Sequence, residues 1–288
     1  MRNRTLPALP ALSALPAAVV AAALALGLTA CGAGGAGSGS GSDDKSGPLV
    51  VGATPTPAGE VLTYVQQKLA KKAGLDLEIK EFTDYVLPNT ALQDGTLGAN
   101  LYQHKPYLDD FNESKGTTLT SVVEVYLPPM GLYSEQVESP GELKKGATVA
   151  LPNDTTNEGR ALELLASEGL IELKKDAGAN ASPADVAKNP RDLAFKEIEP
   201  AQLPRSLKDV DAAVINNNYA LDAGLSPKKD AILLESVEDN PYNNVLAVKK
   251  GDEDDPRVKK LAELLTSPEV KKFIEDKYQG SVLPVTGK

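Results

Sequence analysis

Short apolar segments alternate with amphipathic segments in two successive sets along this chain, and Pro128-Pro129 lies between the sets. In the first set, Leu49 to Ala53 has the composition of a buried strand, Glu60 to Ala73 carries apolar residues at helical spacing, and Leu75 to Ile79 alternates between apolar and charged residues. A second set of strand and helix patterns runs from Thr148 to Leu234. This alternation is typical of mostly parallel sheets covered by helices, so the sequence predicts an α/β fold.

The two sets predict two α/β lobes. The chain is expected to pass between them near Tyr126–Gly131 and again near Glu238–Tyr242. The first lobe then comprises residues 48–128 and 243–288, and the second comprises residues 129–242. Ligands of α/β lobes bind at the carboxyl ends of the strands, and two facing lobes bring these ends together in one cleft. We therefore expect a ligand site between the lobes.

The N-terminal segment has the features of an export signal. Arg2 and Arg4 are the only charged residues before Asp43, and Ala17 to Leu28 is an unbroken apolar run. This run is too short to span a bilayer, which needs about 20 helical residues. A basic start, a short apolar core and small residues before a cleavage site are typical of a signal peptide, which we place at residues 1–30.

The one cysteine of the chain, Cys31, directly follows Leu28-Thr29-Ala30. This ending resembles the bacterial lipobox, in which the cysteine is joined to diacylglycerol and becomes the new N-terminus. The alternative, a buried free thiol, has no core available in so apolar and so terminal a segment. Residues 31–47 are rich in Gly, Ser and Ala, which predicts a flexible tether behind the lipidated cysteine. Two acyl chains would hold the protein at the membrane, because a single chain binds only marginally.

The charge of the chain argues against nucleic-acid partners. Loss of Arg2 and Arg4 with the signal peptide leaves 28 of the 30 basic residues against 40 acidic ones, a formal charge of −12. Such a protein is repelled by the phosphates of nucleic acids and by anionic lipid headgroups. We therefore expect no nucleic-acid partner and attribute membrane attachment to the lipid anchor.

Four rings with polar tips lie near two predicted strand ends of the first lobe. Tyr85 belongs to the predicted loop Phe82 to Asn89, while Tyr102, His104 and Tyr107 lie at the next strand-to-helix junction. Such rings suit a small apolar or thioether chain. His104 is the only histidine of the chain. A lone histidine is also often a helix cap or a hydrogen-bonding group of the core, so both roles stay open for it.

A strand end, a polar turn and a helix start follow one another from Leu151 to Arg160. Free backbone N–H groups at a helix N-terminus favour an anion, and an arginine one turn later can donate two parallel hydrogen bonds to a carboxylate. The alternative is that Asn157 only caps the helix while Arg160 pairs with Glu163. The sequence does not decide between them.

Asparagines cluster after one predicted strand and at the second crossing between the lobes. Asn216 to Asn218 follow a buried strand, and Asn244 follows Asn240-Pro241-Tyr242. An asparagine amide both donates and accepts hydrogen bonds, so such a cluster suits the two charged ends of an amino acid. Turn-forming asparagines at helix caps are the alternative, which accounts for at least one of them.

Six spaced sequence motifs of this chain occur in the same order, and with matching gaps, in a known family. They are Asp84-Tyr85-Val86-Leu87-Pro88-Asn89, Gln103-His104-Lys105-Pro106-Tyr107, Pro152-Asn153-Asp154 with Asn157-Glu158-Gly159-Arg160, Gln202-Leu203-Pro204-Arg205-Ser206, Val214-Ile215-Asn216 and Asn240-Pro241-Tyr242-Asn243-Asn244. From about residue 49 to residue 280 the chain resembles the NlpA/MetQ lipoproteins, the methionine-binding receptors of ABC importers. The resemblance implies a two-lobe, type II periplasmic-binding-protein-like fold with the ligand in the cleft between the lobes.

The resemblance also implies roles for individual residues. Four rings match the family's thioether pocket, Arg160 matches the carboxylate ligand, and Asn216 and Asn244 match polar residues around the amino-acid head group. The predicted ligand-binding residues are Tyr85, Tyr102, His104, Tyr107, Asn157, Arg160, Asn216 and Asn244. The implied protein is lipid-anchored on the extracytoplasmic face of a bacterial membrane, and it delivers methionine to the permease and ATPase of an ABC importer. D-Methionine, methionine sulfoxide and a short methionine peptide are the alternative ligands.

One position departs from the family pattern. Many members have phenylalanine where this chain has Tyr102. We expect the added hydroxyl to face the ligand, where it could donate to a polar side chain such as that of methionine sulfoxide.

Catalysis, cofactors and metals are not predicted. The sequence has no Gly-x-Ser-x-Gly motif, a lipidated Cys31 leaves no free thiol, and one histidine permits at most one base. Transition-metal sites usually need two or three histidines or cysteines. Paired carboxylates in the cleft are the remaining enzymatic alternative, and hydrolysis of a peptide or an ester by the purified protein would support it.

Overall fold

The structure is a computed structural model that describes residues Gly47 to Val285. The predicted signal peptide, the predicted lipidation site Cys31 and nearly all of the predicted tether lie outside the described residues. Within the described part of the chain, none of the helices combines the length and the apolar character that crossing a membrane requires.

Strands and helices alternate along the described chain. The strands are β1 (Leu49–Ala53), β2 (Leu77–Glu81), β3 (Ala99–His104), β4 (Leu119–Leu127), β5 (Gly131–Tyr133), β6 (Thr148–Pro152), β7 (Glu172–Leu173), β8 (Val186–Lys188), β9 (Ala194–Ile198), β10 (Ala212–Ile215), β11 (Leu233–Leu234), β12 (Asn244–Lys249) and β13 (Leu283–Pro284). The α-helices are α1 (Glu60–Val65), α2 (Leu87–Gln93), α3 (Lys105–Lys115), α4 (Thr155–Ser167), α5 (Leu203–Ser206), α6 (Asn217–Asp222), α7 (Pro227–Asp230), α8 (Pro256–Leu265) and α9 (Pro268–Tyr278).

A six-stranded sheet, with helices α1 to α3, α8 and α9, forms what we call the first lobe. Its strand order is β13-β4-β12-β3-β1-β2. Strand β1 runs parallel to β2 and β3, whereas β12 runs antiparallel to β3 and β4. One apolar core joins the sheet to α1, α8 and α9 through residues such as Val51, Leu62, Leu246, Leu261 and Ile274. The predicted site residues of this lobe lie at the carboxyl end of β3, in the first turn of α3, in the segment before α2 and at the start of β12.

A five-stranded sheet, with helices α4 to α7, forms the second lobe. Its strand order is β11-β5-β10-β6-β9, and β6 runs parallel to both β9 and β10. A separate apolar core includes Val149, Leu151, Leu162, Leu165 and Val214. The chain leaves the first sheet after β4, enters the second at β5 and returns between β11 and β12. Helices α4 and α6 both start at the carboxyl end of a central strand of this lobe.

Local sequence explains most of the element boundaries. The bounds of β1, β10, α3 and α8 agree with the sequence pattern, because each strand is continuously apolar and each helix has clear end signals. Helix α3, for example, has Pro106 in its first turn and ends at Gly116, whose φ of 65° is left-handed.

Helix α2 is absent from the sequence-based prediction, which has only a loop after Glu81. In the structure, Asp84 Oδ1 accepts hydrogen bonds from the N–H groups of Val86 and Leu87, each at 2.8 Å, and Pro88 lies in the first turn of α2. Proline is tolerated there because the first N–H groups of a helix have no partner within the helix.

Candidate functional site

A cavity with about 370 Å³ of empty space, part of it open to solvent, lies between the two lobes. All eight residues predicted to bind the ligand line it. Its lining consists of Tyr85, Tyr102, Gln103, His104, Tyr107, Pro128, Asn157, Arg160, Asn216, Asn217, Asn218 and Asn244. One side of the cavity is therefore largely aromatic and the other is rich in amide and guanidinium groups.

The aromatic side is a cluster of tyrosines around Tyr85. The ring centroids of Tyr102 and Tyr107 lie 5.9 and 5.8 Å from that of Tyr85, and the ring of Tyr219 lies 5.0 Å away. Burial raises the pKa of all four phenols well above the ordinary value of 10.0, so each keeps its proton at neutral pH. These rings form an apolar wall with protonated hydroxyl groups.

The hydroxyl of Tyr102 does not have the predicted role. It donates to the backbone oxygen of Tyr85 at 2.7 Å, and the hydroxyl of Tyr107 donates to the same oxygen at 3.0 Å. A phenol has one proton to donate, and that of Tyr102 is used within the protein. The expectation that Tyr102 donates to a polar ligand side chain is therefore wrong, although its ring lines the cavity.

His104 combines the two roles that the sequence left open. Its Nδ1 accepts the N–H of Tyr107 at 3.1 Å and so caps helix α3. Because Nδ1 is the acceptor, the proton lies on Nε2, which faces Asn157 Oδ1 at 3.2 Å across the cleft. Burial, aided by the charge of Arg160, lowers the pKa of His104 to about 3. The histidine is therefore neutral, and it both caps a helix and lines the cavity.

Asn157 connects the two lobes and is not the cap of its helix. The cap of α4 is Asp154, whose Oδ1 accepts the N–H of Asn157 at 3.1 Å and its side-chain amide at 2.8 Å. The Oδ1 of Asn157 in turn accepts from the amide of Asn216 at 2.8 Å and faces His104 Nε2. The alternative in which Asn157 only caps α4 is therefore wrong.

Arg160 is buried beside the cavity and pairs with Glu235. Its Nε and Nη2 donate to the two carboxylate oxygens of Glu235 at 2.7 and 2.6 Å, and Nη2 also donates to the Pro128 backbone oxygen at 3.1 Å. Its guanidinium carbon lies 4.2 Å from the ring centre of Tyr242. The alternative pairing with Glu163 is wrong, since that carboxylate accepts instead from the Tyr242 hydroxyl at 3.0 Å.

Two asparagines next to the cavity have a side-chain oxygen without a partner among the described residues. They are Asn216, whose amide nitrogen donates to Asn157, and Asn217, whose amide nitrogen donates to the backbone oxygens of Pro129 and Ser281. The amide nitrogen of Asn244 donates to the Tyr102 backbone oxygen and to the Tyr126 hydroxyl oxygen. A buried acceptor normally has a hydrogen-bond donor, so the oxygens of Asn216 and Asn217 can accept hydrogen bonds from the N–H groups of a ligand.

Direct hydrogen bonds hold the two lobes together around the cavity. The hydroxyl of Tyr85 donates to Asn218 Oδ1 at 2.5 Å, and that of Tyr219 donates to the Thr83 backbone oxygen at 3.2 Å. Together with the contact of His104 and Asn157, these bonds define a closed arrangement of the cleft.

Known proteins are similar to this chain in sequence and in architecture. The sequence profile of the NlpA lipoproteins matches residues 49–286. The chain belongs to the NlpA lipoprotein family. Within this family, the D-methionine-binding lipoprotein MetQ of Salmonella typhimurium is 43% identical over 229 residues, which make up 78% of this chain and 84% of that protein.

Two solved structures are similar to this NlpA family member. A nutrient-binding protein from Burkholderia cenocepacia, bound to methionine, is 47% identical with a TM-score of 0.80, over 83% of this chain and 100% of that chain. A periplasmic substrate-binding protein of an ABC transporter from Coxiella burnetii is 42% identical with a TM-score of 0.79, over 82% and 100% of the two chains. The predicted family and the predicted two-lobe, periplasmic-binding-protein-like fold are therefore confirmed.

Sequence reasoning missed several residues of the site. Glu235 and Tyr242 lie on the returning segment between β11 and β12 and hold Arg160 from two sides. Asn217, Asn218 and Gln103 line the cavity next to residues that were predicted. The run of three asparagines was a usable signal for two of these, whereas nothing local marks Glu235 as the partner of an arginine 75 residues away.

Proposed function

We propose that this protein is a lipid-anchored, extracytoplasmic receptor that binds methionine and delivers it to an ABC importer. Methionine is supported by the Burkholderia structure, which was solved bound to methionine, and by the name of the Salmonella relative. The importer is supported by the Coxiella relative, a substrate-binding protein of an ABC transporter. The permease and the ATPase would be separate partner proteins.

The observation that carries the proposal is the set of residues that line the cavity between the lobes. Protonated tyrosine rings line one side, while Arg160 lies at the other with two asparagine oxygens that have no partner in the described part of the chain. Concave, mostly apolar sites with a few convergent polar groups are typical of small-ligand pockets. A thioether chain fits against the rings, a carboxylate fits against Arg160, and an α-ammonium group fits against Asn216.

Binding would favour the closed cleft. We propose that residues 48–128 and 243–288 form one lobe and that residues 129–242 form the other. The β4–β5 and β11–β12 connections, which link the two sheets, lie near these boundaries. Tyr85 and His104 contact the ligand from the first lobe, and Arg160 contacts it from the second. A ligand that touches both lobes stabilises the closed state by contacts that the open state lacks.

D-Methionine is the second candidate, and the name of the Salmonella relative favours it. The structure gives no support for methionine sulfoxide as the ligand, because the Tyr102 hydroxyl donates its hydrogen bond to the backbone oxygen of Tyr85. We assign no catalytic step to the cleft, because its histidine is neutral and occupied at both ring nitrogens by Tyr107 and Asn157.

The anchor is proposed from the sequence around Cys31. Replacing the thiol removes the atom that would carry the lipid, so Cys31→Ser should move the protein from the membrane fraction to the soluble fraction. A Cys31→Ser protein that stays with the membrane after cleavage of its N-terminus would place the anchor elsewhere.

Mass spectrometry of the small molecules released by denaturing the purified protein tests the ligand. We expect methionine at about one molecule per chain, and chiral chromatography then distinguishes its L and D forms. Release of a different metabolite at that ratio, with no methionine, would overturn the proposed function.

A further inference from the structure

Glu235 holds a central position that the proposed function does not use. Its side chain is 11% exposed and that of Arg160 is 2% exposed, so the pair is largely removed from water. The carboxylate also accepts the N–H of Met130 at 3.1 Å, while the backbone N–H of Glu235 donates to the Met130 oxygen at 2.9 Å. Glu235 therefore connects both chain crossings between the lobes to the arginine of the site.

The hydrogen bonds of Arg160 leave one edge of its guanidinium for a ligand. A guanidinium has five N–H groups. Three of them are used, because Nε donates to Glu235 and Nη2 donates to Glu235 and to Pro128. Among the described residues, no acceptor for Nη1 is found, and the face of the group is covered by Tyr242. A ligand carboxylate thus meets Nη1, because Glu235 already holds the forked edge.

A carboxylate of the protein compensates the charge of Arg160. With His104 neutral, Arg160 is the one formally charged residue among the described residues that line the cavity. The carboxylate of Glu235, at hydrogen-bond distance from it, compensates that charge. The oxygens of Asn216 and Asn217 add two acceptors, which have no partner within residues 47–285, and they add no positive charge. An anionic ligand without an N–H donor would gain little attraction from Arg160, because Glu235 compensates that charge. It would also leave the side-chain oxygens of Asn216 and Asn217 without a hydrogen-bond donor.

We propose that Glu235 is a specificity-determining residue, which compensates Arg160 so that the site accepts a net-neutral amino acid and disfavours ligands that carry only a carboxylate. The inference rests on the proposed function, since it takes an amino acid with a thioether chain as the ligand. It adds to that function a rule for the charge of the head group and the residue that sets the rule.

Two analogues that are smaller than methionine test this rule without steric conflict. γ-(Methylthio)butyrate lacks the amine and is an anion, whereas γ-(methylthio)propylamine lacks the carboxylate and is a cation. Their dissociation constants are measured by calorimetric competition against L-methionine on the full chain and on Glu235→Gln. Loss of one buried negative charge favours the anion and disfavours the cation. We therefore expect the affinity ratio of acid to amine to rise at least tenfold in Glu235→Gln.

Glu163→Gln is the matched control. Glu163 lies on the same helix as Arg160 and accepts from the hydroxyl of Tyr242, but among the described residues no hydrogen bond or ion pair joins it to the guanidinium. Its ratio should stay within twofold of that of the wild-type protein. The inference is overturned if Glu235→Gln binds L-methionine and keeps the wild-type ratio within twofold. Failure of the wild-type protein to bind methionine would instead contradict the proposed function itself.

If circular dichroism shows that Glu235→Gln does not fold, the affinities of the wild-type protein for the acid and the amine test the inference. A compensated arginine offers the anion hydrogen bonds but no net attraction between charges, whereas the oxygens of Asn216 and Asn217, which have no partner among the described residues, favour the ammonium group. The amine should then bind at least as tightly as the acid. Tighter binding of the acid would show that Arg160 acts as an uncompensated cation, which overturns the inference.

Discussion

The hydroxyl of Tyr85 donates a hydrogen bond of 2.5 Å to Asn218 Oδ1, so a side chain of the first lobe is bonded directly to the second. The backbone oxygen of Tyr85 accepts hydrogen bonds from the hydroxyls of Tyr102 and Tyr107. Tyr85 is thus fixed by its own lobe while it reaches across the cleft. This arrangement couples the aromatic wall of the cavity to the closure of the lobes.

Tyr85→Phe should weaken methionine binding without changing the fold. The variant keeps the ring and the backbone oxygen and loses only the bond to Asn218. One net hydrogen bond contributes about 0.5–1.5 kcal/mol, which corresponds to roughly two- to tenfold in the dissociation constant. Calorimetry measures the loss, and stopped-flow mixing should show that it lies mainly in faster dissociation.

Tyr64→Phe is the control for this change. Tyr64 stacks on Phe273 with ring centroids 4.4 Å apart, does not line the cavity, and makes no hydrogen bond through its hydroxyl among the described residues. Its affinity should equal that of the wild-type protein. Equal affinities for Tyr85→Phe and Tyr64→Phe would contradict the role of the bond to Asn218.

Arg160 should contribute to both stability and binding, and a double variant separates the two. Arg160→Met leaves Glu235 buried without its partner, which should cost roughly 3–5 kcal/mol in the free energy of unfolding. Arg160→Met combined with Glu235→Gln removes both charges and should recover most of that loss. Methionine affinity should fall by roughly 100-fold or more in both variants, because each lacks the carboxylate ligand.

Urea unfolding and calorimetry on the same preparations provide the two measurements. If the double variant recovers methionine affinity together with stability, Arg160 acts only through the fold and does not hold the carboxylate.

His104 should make the protein less stable in acid. Its pKa of about 3 in the folded state lies below the ordinary value of 6.5, so the unfolded chain binds the extra proton over this range. The stabilising contribution is complete above about pH 6.5 and is lost as the pH falls toward 3. Between about pH 6.5 and about pH 5 the loss should be roughly 2 kcal/mol.

The His104→Asn variant isolates this contribution. Asparagine can still cap α3 but has no proton to gain in this range. The comparison is needed because Glu158 changes in the opposite direction, since burial and the nearby carboxylate of Glu197 raise its pKa to about 7. Urea unfolding at both pH values should show a smaller acid loss in His104→Asn. Identical losses in the two proteins would mean that His104 is accessible to protons in the folded state.

The sequence is sufficient for features that depend on local pattern. The apolar runs of β1 and β10 set the bounds of these strands, and the end signals of α3 set those of the helix. All eight residues predicted for the site line one cavity, because the carboxyl ends of neighbouring strands meet between the lobes.

Features that depend on long-range partners were beyond sequence reasoning. Asn89, Asn100 and Gln103 form a buried amide network that joins α2 to β3, with bonds of 2.7–2.9 Å, yet each residue alone is typical of a polar surface. The choice of Glu235 as the partner of Arg160, and of the Tyr85 oxygen as the acceptor for Tyr102, depends on how the two crossings pack. Local periodicity contains no information on such contacts.

Calorimetric titration of the ligand-free protein with L-methionine tests most directly the central claim that this protein binds methionine. The protein is first unfolded, dialysed to remove bound ligand and refolded, and mass spectrometry verifies that no ligand remains. We predict saturable binding of one methionine per chain, with valine and alanine much weaker because a branched or short chain fills the tyrosine pocket poorly. A refolded, ligand-free protein that gives no saturable heat with L- or D-methionine at millimolar concentration would contradict the account.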